Sequence, residues 1–157
     1  MDRELLAYFA RVRREEGAGS GEHRVRESGE RVGPVMARIV ARLPDCPAVV
    51  FSRFGAVLSQ TPPAIVLFGD YTRPAGSPSR AADQWLTGPA ARERCLVEVG
   101  GTDRRHVRRY RHAELGELEL CRQLLIDPGE RQVLLVYTAV PGSPSDEKLR
   151  RLGPGRC

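Results

Sequence analysis

The pattern of apolar and polar positions begins with an amphipathic segment. Leu5, Phe9 and Val12 recur at helical spacing between charged residues, and this pattern predicts a helix over residues 2–15. Residues 17–31 hold almost no large apolar side chains, which is typical of a flexible linker. We therefore expect the first helix to be tethered to the remainder of the chain, where it need not pack against anything.

Four short elements follow the linker. Val35, Ile39 and Leu43 repeat at four-residue spacing, so they predict a helix whose apolar stripe they form. Short apolar runs bounded by turn residues predict two strands and a further helix. The predicted limits are 34–43 for the first helix, 47–51 and 56–60 for the strands, and 63–68 for the second helix.

The last third of the chain has the alternation of β-strands. Leu118, Leu120 and Leu124 lie on one side of a strand, and Arg122 interrupts that side. The run 133–136 is apolar on both sides, which predicts a central strand. The predicted strands cover residues 104–112, 115–126 and 131–137.

Two Ser-Pro pairs mark further helix starts, because a serine can cap the helix and a proline fits its first turn. Ser77-Pro78 leads into a segment that carries Trp85, the only tryptophan. At Ser143-Pro144 a last helix begins, with Asp146 placed to complete a capping box.

The whole order of elements predicts an α+β fold: an antiparallel sheet of about five strands with helices on one face, similar to a PAS-like domain.

Composition and charge narrow the class of protein. The 157 residues suit one domain with short tails. A net charge of +5 is only a mild indication of anionic partners. The N-terminal helix is charged throughout, and no apolar run approaches the ~20 residues that span a membrane. We therefore expect a cytoplasmic protein that has no membrane partner.

Residue types that carry catalysis or bind metals do not occur in organised patterns. The four cysteines form no CxxC pair, and the histidines do not stand at ligand spacing from one another, so no metal or other cofactor is predicted. No nucleophile motif is present, so no catalytic residues are predicted and we expect a protein that is not an enzyme.

A basic run without acidic residues lies in the first strand of the last third. It is a candidate site for an anion, including nucleic-acid phosphate. The alternative, which we favour, is a solvated edge strand whose charges discourage aggregation. The candidate residues are Arg104, Arg105, Arg108, Arg109 and Arg111.

Several motifs resemble one known family. Residues 111–120 (RHAELGELEL) are similar to an H-P-E-x-G-E-L-x-L strand, with Ala113 in place of proline. Residues 135–145 (LVYTAVPGSPS) are similar to L-V-x-T-A-x-P-G-S-P-S, and residues 43–48 (LPDCPA) to L-P-D-x-P-A. These motifs, over about residues 32–152, resemble the ligand-binding part of MmyB-like bacterial transcription regulators.

The resemblance implies a sensor domain that binds a small apolar ligand such as a fatty acid. Family members carry a helix-turn-helix domain before this part, so DNA contact would belong to a domain absent from this chain. A long helical stretch of the family is replaced here by residues 93–110 alone, so the fold is expected to be internally shortened. The expected ligand wall is Val50, Leu58, Phe68, Trp85, Leu118, Leu120, Leu134 and Val136, unless these residues are simply core.

The resulting division of the chain has four parts. They are residues 1–16, a short helix for which a remnant of a DNA-binding domain is one interpretation; 17–31, the linker; 32–152, the PAS-like domain; and 153–157, a disordered tail. Monomer and homodimer both stay open. Two other functions also stay open: a small basic nucleic-acid-binding protein, and a non-functional gene remnant with an exposed apolar sheet face.

Overall fold

The computed structural model describes residues 3–17, 31–53, 55–72, 96–102 and 106–152. The helices in this part of the chain are α1 (Arg3–Gly17), α2 (Pro34–Val40), α3 (Pro62–Phe68) and α4 (Pro144–Arg150). The strands are β1 (Ala48–Phe51), β2 (Val57–Gln60), β3 (Leu96–Gly101), β4 (Val107–His112), β5 (Gly116–Asp127) and β6 (Gln132–Thr138). The helix start predicted at Ser77-Pro78 lies outside the described residues.

The strands form one antiparallel sheet in the order β2-β1-β6-β5-β4-β3. The described residues thus contain six strands where the sequence predicted about five, and β3 is the additional one. Its register shifts between Glu98 and Gly100, and Gly100 has a φ of 151°, which glycine adopts at little cost. Because β3 pairs with β4, the interpretation of the basic run as an edge strand is wrong.

Helices pack on both faces of the sheet, and not on one face as the sequence predicted. The reason is that β1 and β6 are apolar on both sides, so each side needs a cover. On the α3 face, α1, α3 and α4 contribute to a core of Leu5, Phe9, Val49, Phe51, Ala64, Leu67, Phe68, Leu96, Tyr110, Leu118, Leu120, Val133, Leu135, Tyr137 and Leu149. On the α2 face, the core is Met36, Ala48, Val50, Leu134 and Val136.

The first helix is part of this core. Leu5, Phe9 and Val12 are buried, as their spacing requires, and the ring of Phe9 meets that of Phe51 edge-on with centroids 5.9 Å apart. The expectation that α1 need not pack against anything is therefore wrong. The apolar stripe of α1 covers β1, which the composition of the linker gave no reason to expect.

Helix α2 is rotated relative to the predicted stripe. Val35 is 57% exposed and Ile39 is 42% exposed, whereas Met36 is 2% exposed. Val32, Val40 and Leu43 pack with Met36 against the α2 face. This second series also follows helical spacing, so periodicity alone did not distinguish the two stripes.

Helix α4 covers an open edge of β5. Strand β6 pairs only with the second half of β5, so the first half would leave its outer backbone groups exposed. Ser145 Oγ accepts the N–H of Glu119 at 2.8 Å. Lys148 Nζ donates to the carbonyls of Leu115 and Glu117, both at 2.8 Å. Two side chains of a helix thus replace the missing strand.

The predicted start of α4 at Ser143-Pro144 is confirmed, with one difference in the capping contacts. Ser143 Oγ accepts the N–H of Asp146 at 3.2 Å, and the Asp146 carboxylate accepts the N–H of Gly142 at 2.9 Å. The first bond satisfies a backbone donor of the first turn, whereas the second reaches the residue before the N-cap, because the N–H of Ser143 itself donates to the carbonyl of Val140. The capping box therefore sets the position at which the helix turns back onto β5.

Candidate ligand-binding face

Aromatic side chains from three elements meet on the α3 face. Phe68 ends α3, Tyr137 lies on β6 and Tyr110 lies on β4. The ring centroids of Phe68 and Tyr137 are 5.1 Å apart, and those of Tyr110 and Tyr137 are 5.8 Å apart at 80°. All three side chains are buried. Aromatic pairs at these separations attract one another beyond simple burial, so the three rings form an ordered apolar surface.

Strand β5 adds aliphatic neighbours to these rings. Its register pairs Leu118 with Tyr110 and Arg122 with Tyr137. Because alternate residues of a strand point to the same side, Leu118, Leu120 and Arg122 share the α3 face. We call Phe68, Tyr110, Leu118, Leu120 and Tyr137 the α3-face cluster.

Both ends of α3 are tied to the sheet, which holds its aromatic end in place. The Thr61 hydroxyl accepts the N–H of Ala48 at 2.9 Å and donates to the carbonyl of Cys46 at 2.7 Å. After the helix, the Gln60 side-chain amide donates to the carbonyl of Gly69 at 3.0 Å. The positions of β1 and β2 therefore determine where the helix presents its side chains.

A buried histidine joins α3 to the turn between β4 and β5. His112 Nδ1 accepts the N–H groups of Glu114 and Leu115, each at 3.1 Å, and this makes Nε2 the nitrogen that carries the ring proton. Nε2 lies 3.4 Å from the carbonyl of Val66 on α3. The sequence motif drew attention to this histidine without assigning it a role, and the structure gives it one in positioning α3.

The residues of the predicted ligand wall do not form one surface. Phe68, Leu118 and Leu120 converge in the α3-face cluster. The remaining described members pack on the opposite face, beneath α2: Val50, Leu58, Leu134 and Val136. Trp85 lies outside the described residues. The two groups cannot contact one ligand, because the sheet separates them, and a ligand role for either group stays a prediction.

Tyr110 and Tyr137 were missed by the sequence reasoning. Tyr110 lies in the basic run, where the surrounding arginines suggested a solvated strand. Tyr137 follows a run that is apolar on both sides, so the sequence did not show on which face of the sheet its side chain lies. Knowledge of the strand register would have shown that Tyr110 lies opposite Leu118 on the buried side.

The described arginines of the basic run lie beside glutamates. Arg108 is 4.0 Å from Glu98 on β3, and Arg111 is 3.8 Å from Glu117 on β5. The register places the third, Arg109, opposite another glutamate of β5. Exposed pairs of this kind are worth about 0–1 kcal/mol each, yet they offset much of the local positive charge. Arg104 and Arg105 lie outside the described residues, and binding of an anion stays a prediction.

The described residues offer neither a reactive thiol at Cys46 nor a cluster of metal ligands. Cys46 is half-buried, and burial raises the pKa of its thiol, with the nearby Asp45 and Asp146 carboxylates adding to the effect. A raised pKa makes this thiol less nucleophilic at neutral pH. Within the described ranges, no three His, Cys, Asp or Glu side chains stand together as a metal site would require.

The fold and this face define a small α+β domain whose antiparallel sheet packs helices on both sides and gathers aromatic and aliphatic side chains on one of them. The family model for the MmyB-like transcription regulator ligand-binding domain matches residues 32–102 and 97–152, which together span well over half of the chain. The chain therefore belongs to this family, and the resemblance inferred from the motifs is confirmed. Neither the curated proteins nor the solved structures contain a significant match.

The first matched segment ends just after β3, and the second ends in the turn that follows α4. The two segments overlap over residues 97–102, which include most of β3. They include all of the sheet and every member of the α3-face cluster. Among the helices described here, none has the length and apolar character required to cross a membrane.

Proposed function

We propose that residues 32–152 sense a small apolar ligand, with a fatty acid as the leading candidate, and bind it at the α3-face cluster. The observation that carries this proposal is the convergence of Phe68, Tyr110 and Tyr137 with two leucines on one face of a regulator's ligand-binding domain. Ligand sites of this class are lined mainly by apolar and aromatic side chains with few polar groups.

The α2 face is a weaker candidate for the same role. Its core side chains lie directly beneath Met36, with Val40 and Leu43 packed at their margin. A ligand would have to displace α2 itself. On the α3 face, by contrast, elements from three separate parts of the chain meet over the sheet, and the aromatic rings there are the type of lining that apolar ligand sites use.

Helix α1 offers a route by which binding would reach the rest of a regulator. Leu5 and Phe9 belong to the same core as the α3-face cluster. A ligand that enters this core changes the surface on which α1 packs, so the position of α1 depends on whether the ligand is bound.

We also propose that the domain is PAS-like and that the overlap of the two family matches in β3 marks an internally shortened region.

Extraction of the purified protein with organic solvent, followed by mass spectrometry, tests for a bound lipid. Added fatty acids of ~C12–C18 should raise the thermal unfolding temperature, because a ligand that binds only the folded state stabilises it. If no lipid is extracted and no acid in this range shifts the transition, the proposal is wrong.

A matched pair of variants locates the site. Leu120 and Leu134 are both fully buried leucines, and they lie on opposite faces of the sheet. Replacement of either by alanine should cost about 2–5 kcal/mol of folding stability. Only Leu120→Ala should reduce the thermal shift that a fatty acid produces. An equal reduction in Leu134→Ala would place the ligand elsewhere.

A further inference from the structure

Three apolar side chains on the α2 face are exposed to solvent, although the core of this face lies directly beside them. Val35 and Ile39 on α2 are 57% and 42% exposed, and Leu125 on β5 is 45% exposed. Leu125 pairs across the strands with Leu134, which is fully buried in the same core as Met36. Cross-strand partners have side chains on the same face, so Leu125 lies at the margin of that core.

The direction of α2 shows which side of the helix carries its two exposed residues. The start of α2 lies beside the β5–β6 turn, where Gln132 binds Gly33, and its end leads into β1 at the opposite end of β6. Helix α2 therefore runs parallel to β6. Seen from α2 with β6 pointing upward, β1 lies to the left of β6 and β5 to the right. In a right-handed helix that points the same way, the residue before each sheet-facing residue lies on the right. The exposed residues of all three positions thus form one patch beside β5, and we call it the α2 flank: Val35, Ile39 and Leu125.

Charged groups at the two ends of the α2 flank have opposite signs. Arg42 is exposed and follows the apolar pair on the same side of α2, whereas Asp127 follows Leu125 on the same face of β5. Because α2 and β5 run in opposite directions, the arginine and the aspartate lie at opposite ends of the flank. Arg31 and Glu130, which are exposed near the start of α2, offset one another. Rotation about a two-fold axis would therefore place apolar side chains on apolar side chains and each basic end on an acidic end.

We propose that the α2 flank is the interface of a symmetric homodimer, in which α2 packs antiparallel to α2 of a second copy. Arg42 then pairs with Asp127 of the partner subunit at both ends. Asp127 Oδ1 accepts the N–H of Gly129, and its second carboxylate oxygen can accept from a guanidinium group. Opposite charges at the two ends are what a two-fold contact requires, whereas a different partner would need only one sign. This proposal does not depend on a ligand at the α3-face cluster.

The small size of the α2 flank sets the expected strength of the dimer. Each copy contributes three apolar side chains, so the interface lies at the low end of specific contacts, and we expect a dissociation constant on the order of 10 µM. Sedimentation equilibrium of the full chain at about 2–200 µM covers both sides of this value. The weight-average mass should rise with concentration from 17.4 kDa towards that of a dimer.

Two adjacent residues of β5 provide a matched pair of variants. Leu125 and Ile126 are 45% and 47% exposed and point to opposite faces of the sheet. Leu125→Glu should raise the dissociation constant at least about tenfold, because dimerisation would bury an unpaired charge. Ile126→Glu should associate like the unaltered chain. Val35→Glu, at the most exposed position of the flank, provides the same test if Leu125→Glu does not fold.

An exchange of charges tests the orientation of the two copies. Arg42→Asp places two acidic groups together at both ends and should weaken association about three- to tenfold. The double variant with Arg42→Asp and Asp127→Arg restores opposite charges at each end and should regain most of the lost affinity. A role of Arg42 within its own chain would not be repaired in this way unless the two residues met there, and they lie at opposite ends of the flank.

The outcomes decide between the second copy and other covers of the patch. A chain that stays monomeric up to about 200 µM refutes the dimer. Equal weakening by Leu125→Glu and Ile126→Glu places the interface elsewhere. A loss of stability without a change in association in Leu125→Glu would mean that another segment of the same chain covers the flank, and this also overturns the proposal. Association that Leu125→Glu abolishes, Ile126→Glu retains and the charge exchange restores supports it.

Discussion

Single polar side chains bind backbone groups at places where distant segments of this domain meet. Gln132 is buried, and its side-chain amide accepts the N–H of Gly33 at 2.9 Å and donates to the carbonyl of Arg31 at 2.7 Å. Lys148, the only lysine in the chain, completes the edge of β5. Such contacts join segments that are far apart in the sequence, so no local pattern predicts them.

Lys148 gives a prediction at the scale of one residue. In Lys148→Met, the carbonyls of Leu115 and Glu117 lose a charged donor, and the stability loss should be about 1–2 kcal/mol by urea unfolding, since part of each carbonyl can be hydrated instead. Arg150→Met on the same helix removes an ion pair between an exposed arginine and Asp146, which keeps its bond to the N–H of Gly142, and should cost less than about 1 kcal/mol. Equal losses in the two variants would mean that Lys148 does not support the edge of β5.

At the scale of elements, sequence patterns identified most helices and strands but not which side each one buries. The strands β1, β2, β5 and β6 and the helices α1 and α3 were predicted close to their observed limits, and α4 was predicted close to its observed start. The stripe of α2 was wrong, because two sets of apolar residues both fit a helical repeat and only contact with Val50 and Leu134 distinguishes them. The edge assignment of β4 was wrong because β3 was not predicted: it ends in two glycines, which are unfavourable within strands.

Helix α2 gives a prediction at this scale. Met36→Ala removes a buried side chain from the α2 face and should lower the free energy of unfolding by about 2–5 kcal/mol. Ile39→Ala alters a residue that is 42% exposed and should change it by less than about 1 kcal/mol. Urea unfolding measures the free energy of unfolding of both variants. A larger decrease in Ile39→Ala than in Met36→Ala would support the apolar stripe predicted from the sequence.

At the scale of the molecule, α1 belongs to the core of the sheet. The division of the chain into a separate helix and a domain over 32–152 stays a prediction, but the burial of Leu5 and Phe9 shows that the two parts share an apolar interface. The same burial bears on the idea of a remnant with an exposed apolar sheet face. Leu118, Leu120 and Tyr110, the residues that such a face would expose, are buried.

Truncation tests the contribution of α1. A chain that starts at residue 18 should unfold at a lower temperature and tend to aggregate, because Phe51 loses its cover. In the full chain, Phe9→Ala should cost about 3–5 kcal/mol, whereas Arg14→Ala on the exposed side of α1 should cost less than about 0.5 kcal/mol. An unchanged transition in the truncated chain would show that α1 is dispensable for folding.

The amino-acid sequence alone identified the family, the Ser143-Pro144 start of α4, the central position of β6 and the apolar character of Phe68, Leu118 and Leu120. These features depend on local spacing or on motifs, which a linear chain displays directly. The three-dimensional fold was needed to show that the predicted ligand wall divides between two faces, that the ring of Tyr137 contacts those of Phe68 and Tyr110, and that Arg122 lies opposite Tyr137. The physical reason is that strand register and sheet order join residues across long sequence separations, and a shift of one residue would reverse which side each strand buries.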